Sequence, residues 1–224
     1  MFPGMEPLKQ YSALEQPYAR NFYNGGDPGS IKQFDEPSYF LLTAAHATNH
    51  WTLNRRRFAE TFTGAMAETL ALDGRQSFLA PDGAVPDWSY WDERYDPFKV
   101  VLDEALEDGK FVLDIHGVSA KYGADLFIGY GADPSEEALE LADLIIEAFD
   151  GYTVVAGGRF NATAPNAVRS YVQASGGDAL QLDLAPNMRD PHAHPETTLD
   201  FISRFGAVLG AHSAGRLVRE PVAA

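Results

Sequence analysis

The spacing of apolar positions changes at Ser38. Before it, residues 1–37 are rich in Tyr, Gly, Pro and Asn and have no clear period, and Asn24-Gly25-Gly26-Asp27-Pro28-Gly29 is a strong loop signal. This stretch reads as an irregular N-terminal arm that packs on the rest of the chain or on a second copy. Beyond it, short apolar runs alternate with stretches in which apolar residues recur every three or four positions, the marks of buried strands and amphipathic helices. The runs at 38–45 (SYFLLTAA), 77–80, 111–115 (FVLDI), 125–128 (DLFI), 152–156 (YTVVA) and 179–184 (ALQLDL) predict strands. A helix is predicted over 55–72, with Phe58, Phe62, Ala65, Met66 and Leu72 on one face and Gly74 as its stop.

Asp96-Pro97 opens a second helix, with Asp as cap and Pro in the first turn, burying Phe98, Val101, Leu102, Ala105 and Leu106 before Gly109 ends it. Asp133-Pro134 begins a third, reaching Phe149 with Leu139, Ala142, Ile145 and Ile146 inward. Residues 165–172 form a short helix, and 195–215 a last one that buries Leu199, Ile202, Phe205 and Leu209. Strands alternating with helices from residue 38 to 224 imply a single α/β domain, a three-layer sandwich around a mostly parallel or mixed open sheet.

Composition narrows the function classes. The 224 residues are 45% hydrophobic, enough for one substantial core. The absence of cysteine excludes disulfides, thiol nucleophiles and Cys-ligated metals, and leaves His, Asp and Glu as the strong metal ligands. A net charge of −15 argues against nucleic acid or an anionic membrane as partner. No apolar run approaches the ~20 residues of a spanning helix, and residues 1–10 lack the apolar core of a signal peptide. The chain is therefore expected to be soluble and cytoplasmic. A serine hydrolase is disfavoured because no G-x-S-x-G elbow occurs. A dinucleotide enzyme is disfavoured because Gly129-Tyr130-Gly131 lacks the x-x-G continuation.

In open α/β sheets, ligands bind beyond the carboxyl ends of the strands. His46 follows the first predicted strand, His116 the 111–115 strand, and Asp183 lies near the end of 179–184, followed by Asn187 and Arg189. Two histidines and a carboxylate from separate strands can converge on one cleft. Asp114 and His116, two positions apart, point to the same side of their strand. A carboxylate beside a ligating histidine orients its ring, although Asp114 could equally ligate directly or join a buried ion pair.

The blocks TAAHATNH (43–50), RRFAETFTGAMAETLA (56–71), FVLDIHG (111–117), DLFIGYG (125–131) and ALQLDLAPNMR (179–189) together resemble the N-formylglutamate amidohydrolase family, which is related to zinc carboxypeptidases and aspartoacylases. The likeness spans roughly residues 38–210. It implies a phosphorylase/hydrolase-like α/β fold and one zinc ion per chain, although His and carboxylate ligands by themselves suit several divalent ions. It also implies cleavage of an amide bond in an N-acyl or N-formyl glutamate-like substrate.

By the same resemblance, His46 and His116 are metal ligands, Asp183 stands where a catalytic Glu is usual, and Arg189 is placed to pair with a substrate carboxylate. The related peptidases often carry an acidic ligand three residues after the first histidine, where this chain has Asn49. Glu60 is the first substitute as third ligand and His50 the second, with Asn49 otherwise left to contact substrate. Arg159 and Arg169 are candidates to stabilise an oxyanion or clamp a carboxylate, against the plainer reading of surface ion pairs. The Arg55-Arg56-Arg57 run reads as a solvated helix end more readily than as an anion site. His192, His194 and His212 read as loop or structural residues. Two other readings stay open: a zinc peptidase for γ-glutamyl or short-peptide substrates, and an inactive binding or assembly protein on the same fold, its N-terminal arm joining copies into a homo-oligomer.

Overall fold

A computed structural model describes residues 5–219. In chain order its elements are α1 (Met5–Tyr23), β1 (Ile31–Phe34), β2 (Phe40–Thr43), β3 (His50–Thr52), β4 (Arg55–Arg57), α2 (Thr63–Gly74), β5 (Ser77–Pro81), α3 (Pro97–Glu107), β6 (Phe111–Gly117), β7 (Leu126–Gly129), α4 (Glu136–Ala148), β8 (Val154–Ala156), α5 (Val168–Ala174), β9 (Ala179–Leu184), α6 (Pro186–Arg189) and α7 (Pro195–Arg219). Strands β1-β5-β2-β6-β9-β7-β8 form one mixed sheet in that order, and β3 and β4 form a separate hairpin. The four central strands β5, β2, β6 and β9 run parallel, whereas β1 and β7 run antiparallel to their neighbours β5 and β9.

The central strands are apolar on both faces because helices cover both. Phe40, Leu42, Leu113, Ile115, Leu180 and Leu182 pack under α2, α4 and α7. Leu41, Val112 and Ala179, one position out of phase, pack under α3 and α5 against Phe98, Leu102, Val168 and Val172. This is the expected three-layer sandwich. Each fully buried Leu or Phe contributes about 1.5–3 kcal/mol of transfer free energy. Asp96 caps α3 through a hydrogen bond from the Phe98 amide (3.0 Å), with Pro97 in the first turn.

The structure corrects several sequence expectations. The segment taken as an irregular arm contains α1 and the edge strand β1. Tyr11 and Tyr18 of α1 are buried against α2, with the Tyr18 hydroxyl donating to Glu68 (2.9 Å). Aromatic positions seven apart were the available signal, hidden by the polar residues between them and by Pro17. The helix expected over 55–72 begins only at Thr63. Residues 55–57 are β4, and Phe58 is exposed. In α4, Leu139 and Ile146 face solvent while Ala138 and Leu141 are buried.

Candidate metal centre

Beyond Leu41, Val112 and Ala179 the same sheet face turns polar. Register sets Thr43 beside Asp114, Asp114 beside Gln181, and His116 beside Asp183. Neighbours in a parallel ladder share a face, so these five side chains form a polar floor at the carboxyl ends of β2, β6 and β9. Asp114 is fully buried, accepting from the Thr43 hydroxyl (2.7 Å) and pairing with His116 Nε2 (2.8 Å). Burial alone would raise its pKa, but His116 and the Thr43 hydrogen bond hold it below the usual carboxylate value.

Glu60 enters from the segment between β4 and α2. Its backbone amide donates to the His46 carbonyl (2.9 Å) and its carbonyl accepts from the Thr63 hydroxyl (2.7 Å), so the loop is tied at both ends. Its carboxylate lies 3.0 Å from His116 Nδ1 and 3.3 Å from His46 Nδ1, and also accepts from the Gly117 amide (2.9 Å). Burial penalises the Glu60 charge, yet the two histidines hold its pKa well below normal. His116, flanked by Glu60 and Asp114, is correspondingly raised well above the usual imidazole value despite its burial. The cluster holds more negative charge than its histidines neutralise unless a cation, proton or metal, sits among them.

One ligand atom each from His46, Glu60 and His116 lies within 4.8 Å of the others. Two imidazoles and one carboxylate match the three-ligand sets of catalytic zinc sites that keep a fourth position open. A second observation fits the same group: His46 Nε2 and His50 Nδ1 are buried without a hydrogen-bond partner. His50 stacks on His46 at 4.1 Å between centroids and 11° between planes, and His46 meets His116 edge-on at 4.7 Å. Burial, then the neighbouring His46, lowers the His50 pKa to about 3, so it is neutral.

The floor opens into a cavity of about 820 Å³. It is lined by His46, His50, Trp88, the hairpin residues Thr52, Arg56 and Arg57 and the adjoining Phe58, and, from the chain after β8, by Arg159, Phe160, residues 162–164 and residues 166–168. Asp183 faces it, buried and hydrogen-bonded by Gln181 Nε2 (2.9 Å). Burial raises its pKa to about 6, with the His116 charge and the Gln181 bond offsetting part of the rise.

Three residues expected at the site lie behind it instead. Asn49 is buried with its side chain spent on the Phe22 carbonyl (2.7 Å), Asn24 Oδ1 (3.0 Å) and the Ala59 amide (3.0 Å), so it staples the loop that delivers Glu60. Arg169 is buried away from the cavity, donating to the carbonyls of Ala162 (3.0 Å) and Tyr130 (3.2 Å). It needs Gly131, at φ +85°, because a Cβ there would overlap its guanidinium. Arg189 is buried across the back of Gly117 and donates to the Leu184 carbonyl (3.1 Å) and to the carbonyl and hydroxyl of Thr61, next to Glu60. Each long or amidic side chain satisfies backbone groups that burial would otherwise leave unpaired. Sequence reading missed Thr43, Trp88 and Gln181. The rule that joined Asp114 to His116 also joins Gln181 to Asp183, two positions apart, and was the available signal. His212 pairs with Glu137 (3.0 Å), and neither His192 nor His194 lines the cavity.

No family model matches the sequence, and no curated protein sequence matches it either. Solved structures do. A bacteriophage poly-gamma-glutamate hydrolase superposes with TM-score 0.55 at 13% identity, covering 85% of this chain and 90% of the other. An N-formylglutamate amidohydrolase from Ralstonia eutropha JMP134 gives 0.57 at 10% identity, with 86% and 100% coverage. A metallo-carboxypeptidase from Burkholderia cenocepacia gives 0.50 at 14%, covering 85% of this chain and 62% of the other. The chain has the amidohydrolase and metallo-carboxypeptidase fold. That agrees with the resemblance drawn from the 43–50, 111–117 and 179–189 blocks. At this identity the agreement concerns architecture, and the chemistry must be argued from the side chains.

Proposed function

We propose that this protein is a metal-dependent hydrolase that cleaves an amide bond of an N-acyl or N-formyl glutamate-like substrate. The observation that carries the reading is the His46–Glu60–His116 cluster beside a buried carboxylate, Asp183, at the floor of one cavity. The fold shared with an N-formylglutamate amidohydrolase and a metallo-carboxypeptidase supports it. His46, Glu60 and His116 would hold the ion; a two-imidazole, one-carboxylate set suits several divalent ions, and zinc is the choice that the resemblance implies. When bound, such an ion supplies Lewis acidity, activating water and polarising the scissile carbonyl.

The chain's own residues do the rest. Asp114 accepts from His116 Nε2, fixing the ring so that Nδ1 faces Glu60 and the cluster. Asp183, poised near pH 6, takes a proton from the attacking water and returns it to the leaving amine, because a base with a pKa near the working pH transfers protons in both directions. Gln181 holds the carboxylate from behind. Arg159 is the one expected arginine that faces the cavity, and it is placed to meet a carboxylate or developing oxyanion. A peptidase acting on γ-glutamyl amides is the second reading, favoured by the likeness to a poly-gamma-glutamate hydrolase.

The test is metal content by elemental mass spectrometry, paired with hydrolysis of N-formyl-L-glutamate. About one zinc per chain, lost in His46→Ala/His116→Ala together with turnover, is the expected result. Wild-type protein that takes up no metal after incubation with zinc would leave only the fold and remove the mechanism.

A further inference from the structure

Three arginines line the cavity of a strongly acidic chain, together with the carboxylates of Glu60, Asp114 and Asp183. Arg56, Arg57 and Arg159 line it, although the sequence carries 32 acidic residues against 17 Lys and Arg. Elsewhere cations find those acids: Lys32 pairs with Glu68, Lys110 with Asp35, and Arg204 with Asp200 (2.8 Å). Among the described residues, the three cavity arginines have no carboxylate within ion-pair distance. Arg56 lies over the Trp51 and Phe58 rings (5.9 and 5.4 Å), with one long bond to Asn24 Oδ1 (3.4 Å), and Arg159 lies over Tyr122 (4.8 Å). Aromatic faces orient these guanidinium groups without neutralising them, and each retains donors for an incoming anion.

Their placement is two-sided. Arg56 and Arg57 come from β4, in the hairpin that follows β2, whereas Arg159 belongs to the turn after β8, beside β7. Strands β2 and β7 are three places apart in the sheet, about 14 Å at ~4.8 Å per strand. The floor with His116 and Asp183 lies between them. A volume of about 820 Å³ stands in the upper part of the ~300–1,000 Å³ range of small-molecule sites, more than a single N-acyl amino acid occupies. Trp88, Phe58 and Phe160 supply apolar wall between the charges.

We infer that the cleft accepts an extended polyanionic oligo-amide, a chain of acidic residues bearing one carboxylate per unit. Arg56 and Arg57 grip it on one side of the floor and Arg159 on the other. The fate of that ligand rests on the hydrolase reading above; its binding does not. Two opposed anion grips hold the oligomer across the floor, so an internal amide is presented there rather than a chain end.

Binding is measured by isothermal titration calorimetry of a γ-linked L-glutamate hexamer to the full chain. The chain carries Asp183→Asn to suppress turnover and is pre-incubated with zinc. Arg56→Gln, Arg57→Gln and Arg159→Gln are each expected to weaken binding about five- to tenfold. Arg75→Gln, the same charge change at the exposed end of α2, should not. Affinity should fall as salt rises, and the hexamer with its α-carboxylates amidated should not bind. Equal affinity for the amidated hexamer, or arginine variants no weaker than Arg75→Gln, overturns the inference. If the hexamer binds with the arginine pattern while the zinc-loaded wild type cleaves nothing, the cleft assignment stands and the hydrolase reading falls. If N-formyl-L-glutamate is cleaved but the hexamer does not bind, the reverse holds.

Discussion

Glu15 of α1 is an acid placed where its charge is a liability. One carboxylate oxygen accepts from the Phe62 amide (2.7 Å), two residues beyond Glu60, while Oε2 is buried without a well-aligned partner. Burial raises its pKa from 4.5 to about 7, and the Phe62 amide, the nearby Tyr23 hydroxyl and Arg189 only partly offset the rise. The folded-state value lies above the unfolded one, so the stabilising effect is fully present below pH 4.5. It is lost as pH rises towards 7, because the unfolded chain ionises first. The difference of roughly 2.5 units corresponds to about 3 kcal/mol. Glu15→Gln keeps an oxygen for the Phe62 amide and removes the charge. Urea denaturation from pH 4 to pH 8 should give variant and wild type equal stability at pH 4. The variant should gain progressively above pH 4.5, reaching up to about 3 kcal/mol at pH 8. Other titrating groups act on both proteins and cancel in the difference. A difference that is flat across this range, or a variant less stable at pH 8, refutes the placement of a buried, under-compensated carboxylate beneath the Glu60 loop.

Three further outcomes follow from the same geometry. Glu60→Gln should abolish stoichiometric zinc, whereas Asp114→Asn should retain it with affinity lowered about 10- to 100-fold, read by competition with a chromophoric chelator. Asp183→Asn should lower kcat on N-formyl-L-glutamate by about 10²–10⁴ with KM little changed, and a proportional rise in KM instead would reassign Asp183 to ground-state binding. Asn49→Ala should bind zinc as wild type does but lose about 1–3 kcal/mol in thermal or urea unfolding, since it strands the Ala59 amide and the Phe22 carbonyl; loss of metal with unchanged stability would make Asn49 a ligand after all.

Much of the scaffold is written in local sequence. The runs 111–115 and 179–184 lie within β6 and β9, Asp96-Pro97 starts α3, and two-residue spacing joins Asp114 to His116 on one face. Local patterns carry this because strand alternation, caps and turn residues act over a few positions. The same patterns gave no hint that residues 55–57 leave the helix to make β4, whose run of three arginines has no apolar stripe to report. Nor could they show that Arg159 faces the cavity while Arg169, ten residues later, is buried among carbonyls.

The sequence by itself determined the α/β class, most strand cores, and which histidines stand at strand ends. Each of these follows from apolar spacing or from chemistry within a few residues. Only the tertiary structure decided the strand order that sets β2, β6 and β9 side by side, and with it the meeting of His46, His116 and Asp183. It set Glu60, which the sequence offered only as a substitute third ligand, between the two histidines, and it turned Asn49 and Arg189 away to hold the loop that carries it. Contacts between residues 10 to 128 positions apart depend on which helix covers which sheet face. Periodicity states that a side is buried but never against what.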